Sequence, residues 1–450
     1  MPENGLAMTR AYDQMRVRLR RLYEAAVEAA MPVRCLPPHL PDPPAPDKGR
    51  LVVFAIGKAA AAMAATAEDH YDRHFPGTHI EGVALTRYGH ARPTRHVEVV
   101  EAAHPVPDAA GAAASKRLMR MAEWLGPHDL ALVLLSGGGS ALTALPLPGL
   151  TLADEQKLTR ALLASGLPIG DINCVRKHVS RIKGGRLAAA IHPARSVTLA
   201  ISDVAGDDPS TIASGPTVPD TTAKARALAI LDALDADLPP HIRTAIEAAP
   251  ETPKPGNACF ERAAYRLVAS GSESLIAAAK RARSEGYDTL VLGDDIEGEA
   301  RHLARQHAGL ARMAQADGHR LAIISGGEAN VTFTDAAAAG KGGPGQEYAL
   351  ALLLDFKGAP GIAALAGDTD GIDGGAGAAD DPAGAFVLPD SYARAEALGL
   401  DLPAALAAHD SSPVFAALDD LLVTGPSYTN VNDFRVILVD NAPPEKESPP

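Results

Sequence analysis

Short apolar runs alternate with stretches of helical spacing along most of the chain. Segments 51–56, 83–86, 97–101, 130–135 and 197–201 are brief and mostly apolar, the pattern of strands buried on both faces. Segments 265–269, 289–292, 321–324, 362–365, 384–388 and 435–439 continue the series. Between them, 8–31 places Tyr12, Met15, Leu19, Leu22 and Ala26 near one helical face. Segments 273–286 and 297–317 also read as helices, and another helical pattern opens at Gln346. Residues 172–187 (INCVRKHVSRIKGGRL) read as one basic helix, with Ile172, Val175, Val179 and Ile182 on its apolar side. Strands alternating with helices predict an α/β protein. Proline-rich 32–47 is a loop, and 238–257, with five prolines, is the predicted linker and hinge between two domains.

Polar residues that interrupt this pattern gather where strands end, the edge at which α/β proteins place their chemistry. The first strand runs into Gly57-Lys58 and an Ala-rich helix, so Lys58 is either a solvated lysine at a helix start or a cation aimed at a bound anion. Segment 130–135 ends in Ser136-Gly137-Gly138-Gly139-Ser140, which suits an anion-binding nest or a tight strand-to-helix turn. Neither G-x-x-x-x-G-K-[ST] nor G-x-G-x-x-G occurs there. The same strand-then-SGG element recurs at Ser325-Gly326-Gly327-Glu328, with a looser copy at Ser270-Gly271-Ser272, and implies two α/β halves built alike. Asp203, Asp207 and Asp208 follow segment 197–201 among serines and glycines. Asp368, Asp370 and Asp373 fall within six residues after 362–365, a spacing that suits a divalent metal or phosphates held through one. Arg176, Lys177, Arg181, Lys183 and Arg186 form either a solvated helix face or a patch for carboxylate or phosphate. His104, held extended by Pro105, reads as shaping a loop rather than doing acid–base work.

Composition narrows the function classes. A hydrophobic fraction of 46% with only 4% aromatic implies helices packed closely through alanine. The length of 450 residues favours two domains. A net charge of -13 argues against nucleic acid as the main partner, though not against a small anionic substrate. Cys35, Cys174 and Cys259 lie far apart and read as reduced thiols without a disulfide framework. No apolar signal core opens the chain, and the most apolar early run, 51–65, carries Lys58 and is too short to span a bilayer. A soluble cytoplasmic protein with no membrane partner is expected, and a homodimer is left open.

Longer motifs are more specific. IGKAA at 56–60, AAHPVPDAAG at 102–111, LLSGGGSAL at 134–142, INCVRKHVSRIKGGRLA at 172–188 and ISDVAGDDPSTIASGPTVPD at 201–220 occur in order. They are followed by SGGE, GKGGPGQE, AGDTDGIDG and TGPSYTNVNDFRVIL. Together these resemble the bacterial and archaeal glycerate 2-kinases over nearly the whole chain after about residue 10, and the carboxyl-terminal portion resembles that family's MOFRL domain. The resemblance implies an N-terminal Rossmann-like α/β/α sandwich, set at 8–250, and a C-terminal MOFRL α/β domain with a mixed sheet, set at 258–442. The active site would lie in the cleft between them, and 443–450 would be a disordered tail.

The activity implied is ATP-dependent phosphorylation of glycerate to 2-phosphoglycerate. Lys58 matches the family's essential lysine, and Asp370, with Asp368 beside it, matches an acidic position that also matters there. On that basis ATP phosphates are expected at Ser136, Gly137, Gly138, Gly139 and Ser140, with Ser325, Gly326, Gly327 and Glu328 as the second cofactor-binding element. Mg2+ is expected on Asp203, Asp207 and Asp368, and the glycerate carboxylate on Arg176, Lys177 and Lys183. Two positions depart from the family pattern. Pro344 replaces the arginine of a GGRNQE motif, leaving Lys341 and Arg176 as candidates for that charge, and Tyr428 stands where glycine is common. Relatives labelled hydroxypyruvate reductases make an NAD(P)H-dependent reductase the first alternative, and a non-catalytic nucleotide or phosphosugar sensor is the second.

Overall fold

A computed structural model describes residues 2–45, 47–333, 340–375 and 380–440, with side chains from residue 12 onward; the expected tail at 443–450 lies outside the described residues. The chain forms two compact units, one of residues 31–270 with 428–430, the other of 1–30, 271–427 and 431–450.

The first unit is built on six parallel strands, β1 (Leu51–Ile56), β2 (Ile80–Arg87), β3 (Val97–Ala102), β4 (Leu130–Leu135), β5 (Arg195–Ile201) and β6 (Ala263–Ala269). Their order is β3-β2-β1-β4-β5-β6. Winding therefore reverses between β1 and β4, and at such a switch point the crevice beyond the strand ends takes ligands. Every residue of β1 and β4 is buried, which explains their unbroken apolar runs. Helix Ala60–His74 buries Ala60, Ala61, Ala62, Ala64 and Ala67, small side chains that let it lie close to the sheet.

In the second unit the strands are β7 (Asp288–Val291), β8 (Gly298–Glu299), β9 (Leu321–Ser325), β10 (Ala329–Asn330), β11 (Ile362–Asp368), β12 (Gly384–Val387), β13 (Leu421–Leu422) and β14 (Asp433–Val439). Six form a mixed sheet in the order β13-β12-β11-β14-β9-β7, in which only β7 and β9 pair in parallel. β8 and β10 pair separately. Helices Ala300–Ala316 and Pro344–Phe356 pack with one apolar cluster of this unit. Helices Pro2–Ala30 and Gly271–Ser284 contribute to another.

Five features differ from the sequence expectation. The first helix exists, but Met15, Leu19, Leu22 and Ala26 pack with Leu275, Ala278 and Phe434 of the second unit. Amphipathic spacing reveals a buried face without naming what covers it. β6 joins β5 in the first sheet, so the units divide elsewhere than at 250–258. Segment 238–257 lies within the first unit, where helix Pro240–Ala248 buries Ile242 and Ile246, so it is not a free hinge. The basic helix is two, Ile169–His178 and Arg186–Ile191, because Gly184 and Gly185 turn left-handed between them at φ 61° and 81°. The two halves are also unlike in sheet topology, one parallel and one mixed. Among the described residues no helix is long and apolar enough to cross a membrane.

Candidate functional site

At the switch point the ends of β1 and β4 are tied together by their own backbone. Lys58 N donates to Gly137 O at 2.8 Å, and Ala59 N donates to Ser136 Oγ at 3.0 Å. Lys58 O accepts from Thr86 Oγ1 at 3.1 Å. A glycine at 57 is required here, because a Cβ would lie 2.3 Å from Ser136 Oγ and the backbone sits at φ +125°. Gly138 adopts φ +79°, and the amides of Gly137, Gly138, Gly139 and Ser140 meet no acceptor among the described residues. Successive unclaimed amides around a left-handed residue make an anion nest. Ser136, by contrast, is fully buried with its hydroxyl used by Ala59, so it builds the turn.

Side chains from distant segments surround this nest. A Cβ on Gly138 would lie 3.2 Å from His104 Cδ2 and 3.3 Å from Lys58 Cγ. On Gly137 it would meet Asp203 Oδ2 at 1.9 Å and Asn430 Nδ2 at 2.4 Å. Asn430 Nδ2 donates to Asp203 Oδ2 at 2.8 Å. The structure thus gathers Lys58, residues 137–138 and Asp203, and adds His104, which the sequence read only as a loop former, and Asn430, which it did not assign to the site. Asp207 follows in the same loop, in a left-handed conformation at φ 55°. Tyr428, at the position where glycine was expected, does adopt φ 61°, with Arg92 stacked 4.5 Å from its ring centroid.

The basic candidates separate into paired and unpaired groups. Lys177 is buried and bonds Asp220 at 3.3 Å. Burial alone would raise the Asp220 pKa, but Lys177 and the bonds from Thr222 and Thr252 leave it lowered. Lys183 is buried between Thr143 O at 2.7 Å and Glu155 Oε1 at 3.3 Å, and burial depresses its pKa. Arg176 is half-buried; burial lowers its pKa against the opposing charge of Glu155, and among the described residues it has neither hydrogen bond nor ion pair. Its neighbour across a small cavity is Ser140 of the nest turn.

In the second unit, β11 ends in a self-bonded turn. Asp370 N donates to Asp368 Oδ1 at 2.9 Å, and Ile372 N donates to Asp370 Oδ1 at 2.9 Å. Tyr23 OH donates to Asp368 O at 2.7 Å, which anchors the first helix to the same turn. Asp373 is buried and caps helix Pro344–Phe356 through the amides of Gly345 and Gln346, at 2.9 and 2.7 Å. Burial pushes its pKa up to about 7. The second SGG element is arranged differently from the first. Gly326 N donates to Gly293 O at 2.9 Å, and Gly326 O accepts from the buried Arg435 guanidinium. Ser325, Gly326 and Gly327 are buried, while Glu328 is exposed, as is Lys341. Among the described residues no three His, Cys, Asp or Glu side chains are gathered as a metal cage.

A parallel sheet with an open glycine nest beside a lysine, and a mixed-sheet unit with an Asp-rich strand end, define a two-unit α/β protein. Comparison with known proteins gives it a place. Residues 18–247 match the model of a domain of unknown function, DUF4147, and 321–433 match the MOFRL family. A D-glycerate 2-kinase from Thermotoga maritima is 34% identical over 93% of this chain and 97% of its own. The crystal structure of glycerate kinase from that organism superposes with a TM-score of 0.82 at 33% identity, covering 95% of this chain and all of its own. A protein from Agrobacterium vitis that carries a hydroxypyruvate reductase name is 48% identical over 94% of each chain. The chain belongs to the glycerate 2-kinase family, in which a DUF4147 domain precedes a MOFRL domain.

Proposed function

We propose that this protein transfers the terminal phosphoryl group of ATP to the C2 hydroxyl of glycerate, giving 2-phosphoglycerate. The observation that carries the reading is the run of four unclaimed amides at 137–140 beside Lys58, at the switch point of a parallel sheet. Phosphoryl transfer depends on positioning and charge neutralisation. The amides receive phosphate oxygens, and the Lys58 ammonium answers charge on the group in flight, an interaction strongest in the transition state. Asp370 takes the acid–base role toward the C2 hydroxyl; its carboxylate is aimed by the Ile372 amide.

Magnesium fits the donor set. An ion that bridges phosphates keeps most of its waters and needs only one or two carboxylates. Asp203, placed against Gly137 of the nest, would hold it, with Asp207 and Asp368 as further candidates. When bound it would neutralise charge on the phosphates. Ser325, Gly326, Gly327 and Glu328 are a weaker nucleotide element, because Gly326 spends its amide on Gly293.

The name carried by the Agrobacterium vitis relative favours a hydroxypyruvate reductase as second reading. The turn after β1 is Gly57-Lys58-Ala59-Ala60, where a dinucleotide site of this topology carries G-x-G-x-x-G, and this weighs for the kinase. Phosphorus NMR of pure protein incubated with Mg-ATP and glycerate tests the choice, with a 2-phosphoglycerate resonance expected. Oxidation of NADH or NADPH by hydroxypyruvate without ATP would overturn it, and ATP binding without turnover would leave a sensor.

A further inference from the structure

We propose that Arg176 and Ser140 form the carboxylate subsite for the 2-hydroxy acid, and that Ser214 is its positioning residue. The proposal rests on the kinase reading for the identity of the acid. It goes beyond that reading in separating one arginine from the basic cluster and in assigning a function to a strained turn.

Three observations converge. First, Arg176 is half-buried and, among the described residues, makes no hydrogen bond or ion pair, Glu155 acting on it only through space, whereas Lys177 and Lys183 each bond a carboxylate. A partly desolvated guanidinium with no bonded carboxylate is stabilised by an anion that completes it, and its planar fork matches a carboxylate. Second, Arg176, Ser140, Glu155 and Lys183 line one cavity whose inner part measures about 10 Å³. That is room for about one water-sized group, such as one oxygen of a carboxylate. Glu155 bonds Lys183 through Oε1 and keeps a buried Oε2 without a hydrogen-bond partner, so the three side chains together leave one net positive charge at the cavity.

Third, the wall behind Ser140 is strained. Ala213 and Ser214, both buried, adopt φ 50° and 58°, a left-handed conformation that non-glycine residues avoid. The turn is clamped by Gly184 N on Ser214 O at 3.0 Å and Gly185 N on Gly215 O at 2.8 Å. Its effect is to hold the Ser214 hydroxyl 2.7 Å from Ser140 Oγ and 3.2 Å from Asn173 Oδ1. Asn173 and Arg176 share one face of helix Ile169–His178 at i, i+3. Ser214 has one proton and two acceptors. When it donates to Asn173, Ser140 donates to Ser214. When it donates to Ser140 instead, the Ser140 proton is released for an incoming carboxylate oxygen. Ser214 thus switches Ser140 from resting partner to ligand donor without backbone movement.

Kinetics and direct binding on the full chain test this. Arg176→Met is expected to raise the glycerate KM roughly 10- to 100-fold, the worth of a charge-assisted hydrogen bond, with the ATP KM within about threefold of wild type. Arg176→Lys recovers part of the loss. Ser214→Ala and Ser214→Gly both remove the hydroxyl, but glycine relaxes the turn. Equal rises in glycerate KM, with unchanged ATP KM, support the hydroxyl's role, and a wild-type KM in Ser214→Gly overturns it. Calorimetry of glycerate alone separates the subsite from the reaction. If wild type binds glycerate and Arg176→Met does not, the subsite stands even where no phosphoryl transfer is found. Equal binding by folded Arg176→Met, or no glycerate binding by wild type, overturns it.

Discussion

Gly137→Ala adds a single methyl group at the most crowded point of the nest. Gly137 is not in a left-handed conformation, so alanine meets no backbone strain there. Its Cβ would lie 1.9 Å from Asp203 Oδ2 and 2.4 Å from Asn430 Nδ2, and an ordinary contact requires shifts of about 1.5 and 1 Å respectively. Overpacking of this kind costs about 1–3 kcal/mol, which in a unit of this size lowers Tm by roughly 2–12 °C. A displacement of about 1 Å at a positioned catalytic group can also cost about 10²-fold in rate.

The assay is kcat with saturating ATP and glycerate across a magnesium titration, beside a thermal melt. The magnesium requirement should rise because Asp203 has moved. Gly82→Ala, whose Cβ would meet Val53 O at 2.1 Å inside the sheet, is the control that loses stability without changing that requirement. The double variant Gly137→Ala/Asp203→Ala removes the closer of the two clashes and leaves that with Asn430, so it should regain part of the stability but not rate. A Gly137→Ala enzyme with wild-type Tm, kcat and magnesium dependence would refute the placement of Asp203 against the nest.

Lys58→Met should cost roughly 10²-fold or more in kcat, about 2.7 kcal/mol, with ground-state KM values little changed; a folded variant within about threefold of wild type would shift the catalytic cation elsewhere. Gly138→Val should raise the ATP KM more than the glycerate KM, because φ +79° excludes a branched side chain and its Cβ would press on the His104 ring and Lys58; calorimetry with ATP measures it directly. Burial, then the Arg435 charge, depresses the His307 pKa to about 4 from 6.5, so the unfolded chain binds more protons in that window. This contribution to stability is full above pH 6.5 and is lost as pH falls toward 4. Asp373, raised to about 7, works oppositely over an overlapping range. The test is therefore the difference between wild type and His307→Gln in denaturant melts from pH 4 to 7, with the slope against pH weaker in the variant.

Strands were legible in the sequence because burial on both faces leaves an apolar run that few other elements produce, and β1 and β4 begin and end where the pattern placed them. Lys58 and residues 136–140 were legible because small residues at a strand end leave a local signature. Asn430 left none: it meets Asp203 across 227 positions, and no spacing encodes such a pairing. His104 was read as a loop former because a proline follows it, yet its ring lies against Gly138. Charge in the 172–187 segment was visible, but its distribution was not. Lys177 and Lys183 are neutralised by Asp220 and Glu155 from other segments, and only the fold reveals that Arg176 is left over.

The repeated SGG element shows where sequence similarity stops carrying chemistry. Both copies follow a buried strand, and both contain a left-handed glycine, Gly138 at φ 79° and Gly327 at φ 90°. What distinguishes them is the fate of their polar backbone groups. In the second copy Gly326 N is taken by Gly293 O, Gly326 O by Arg435 and Gly327 O by Asp433 N. A Cβ on Gly327 would strike the Ile296 backbone at 2.3 Å, so that glycine serves close packing. In the first copy the carbonyl of Gly137 is used by Lys58 N, while the amides of residues 137–140 have no acceptor among the described residues. Backbone donors that fold into a protein unpaired are a cost that a bound anion removes. On the proposed function, the nest is a ligand site because its tertiary neighbours claim its acceptors and leave its donors open.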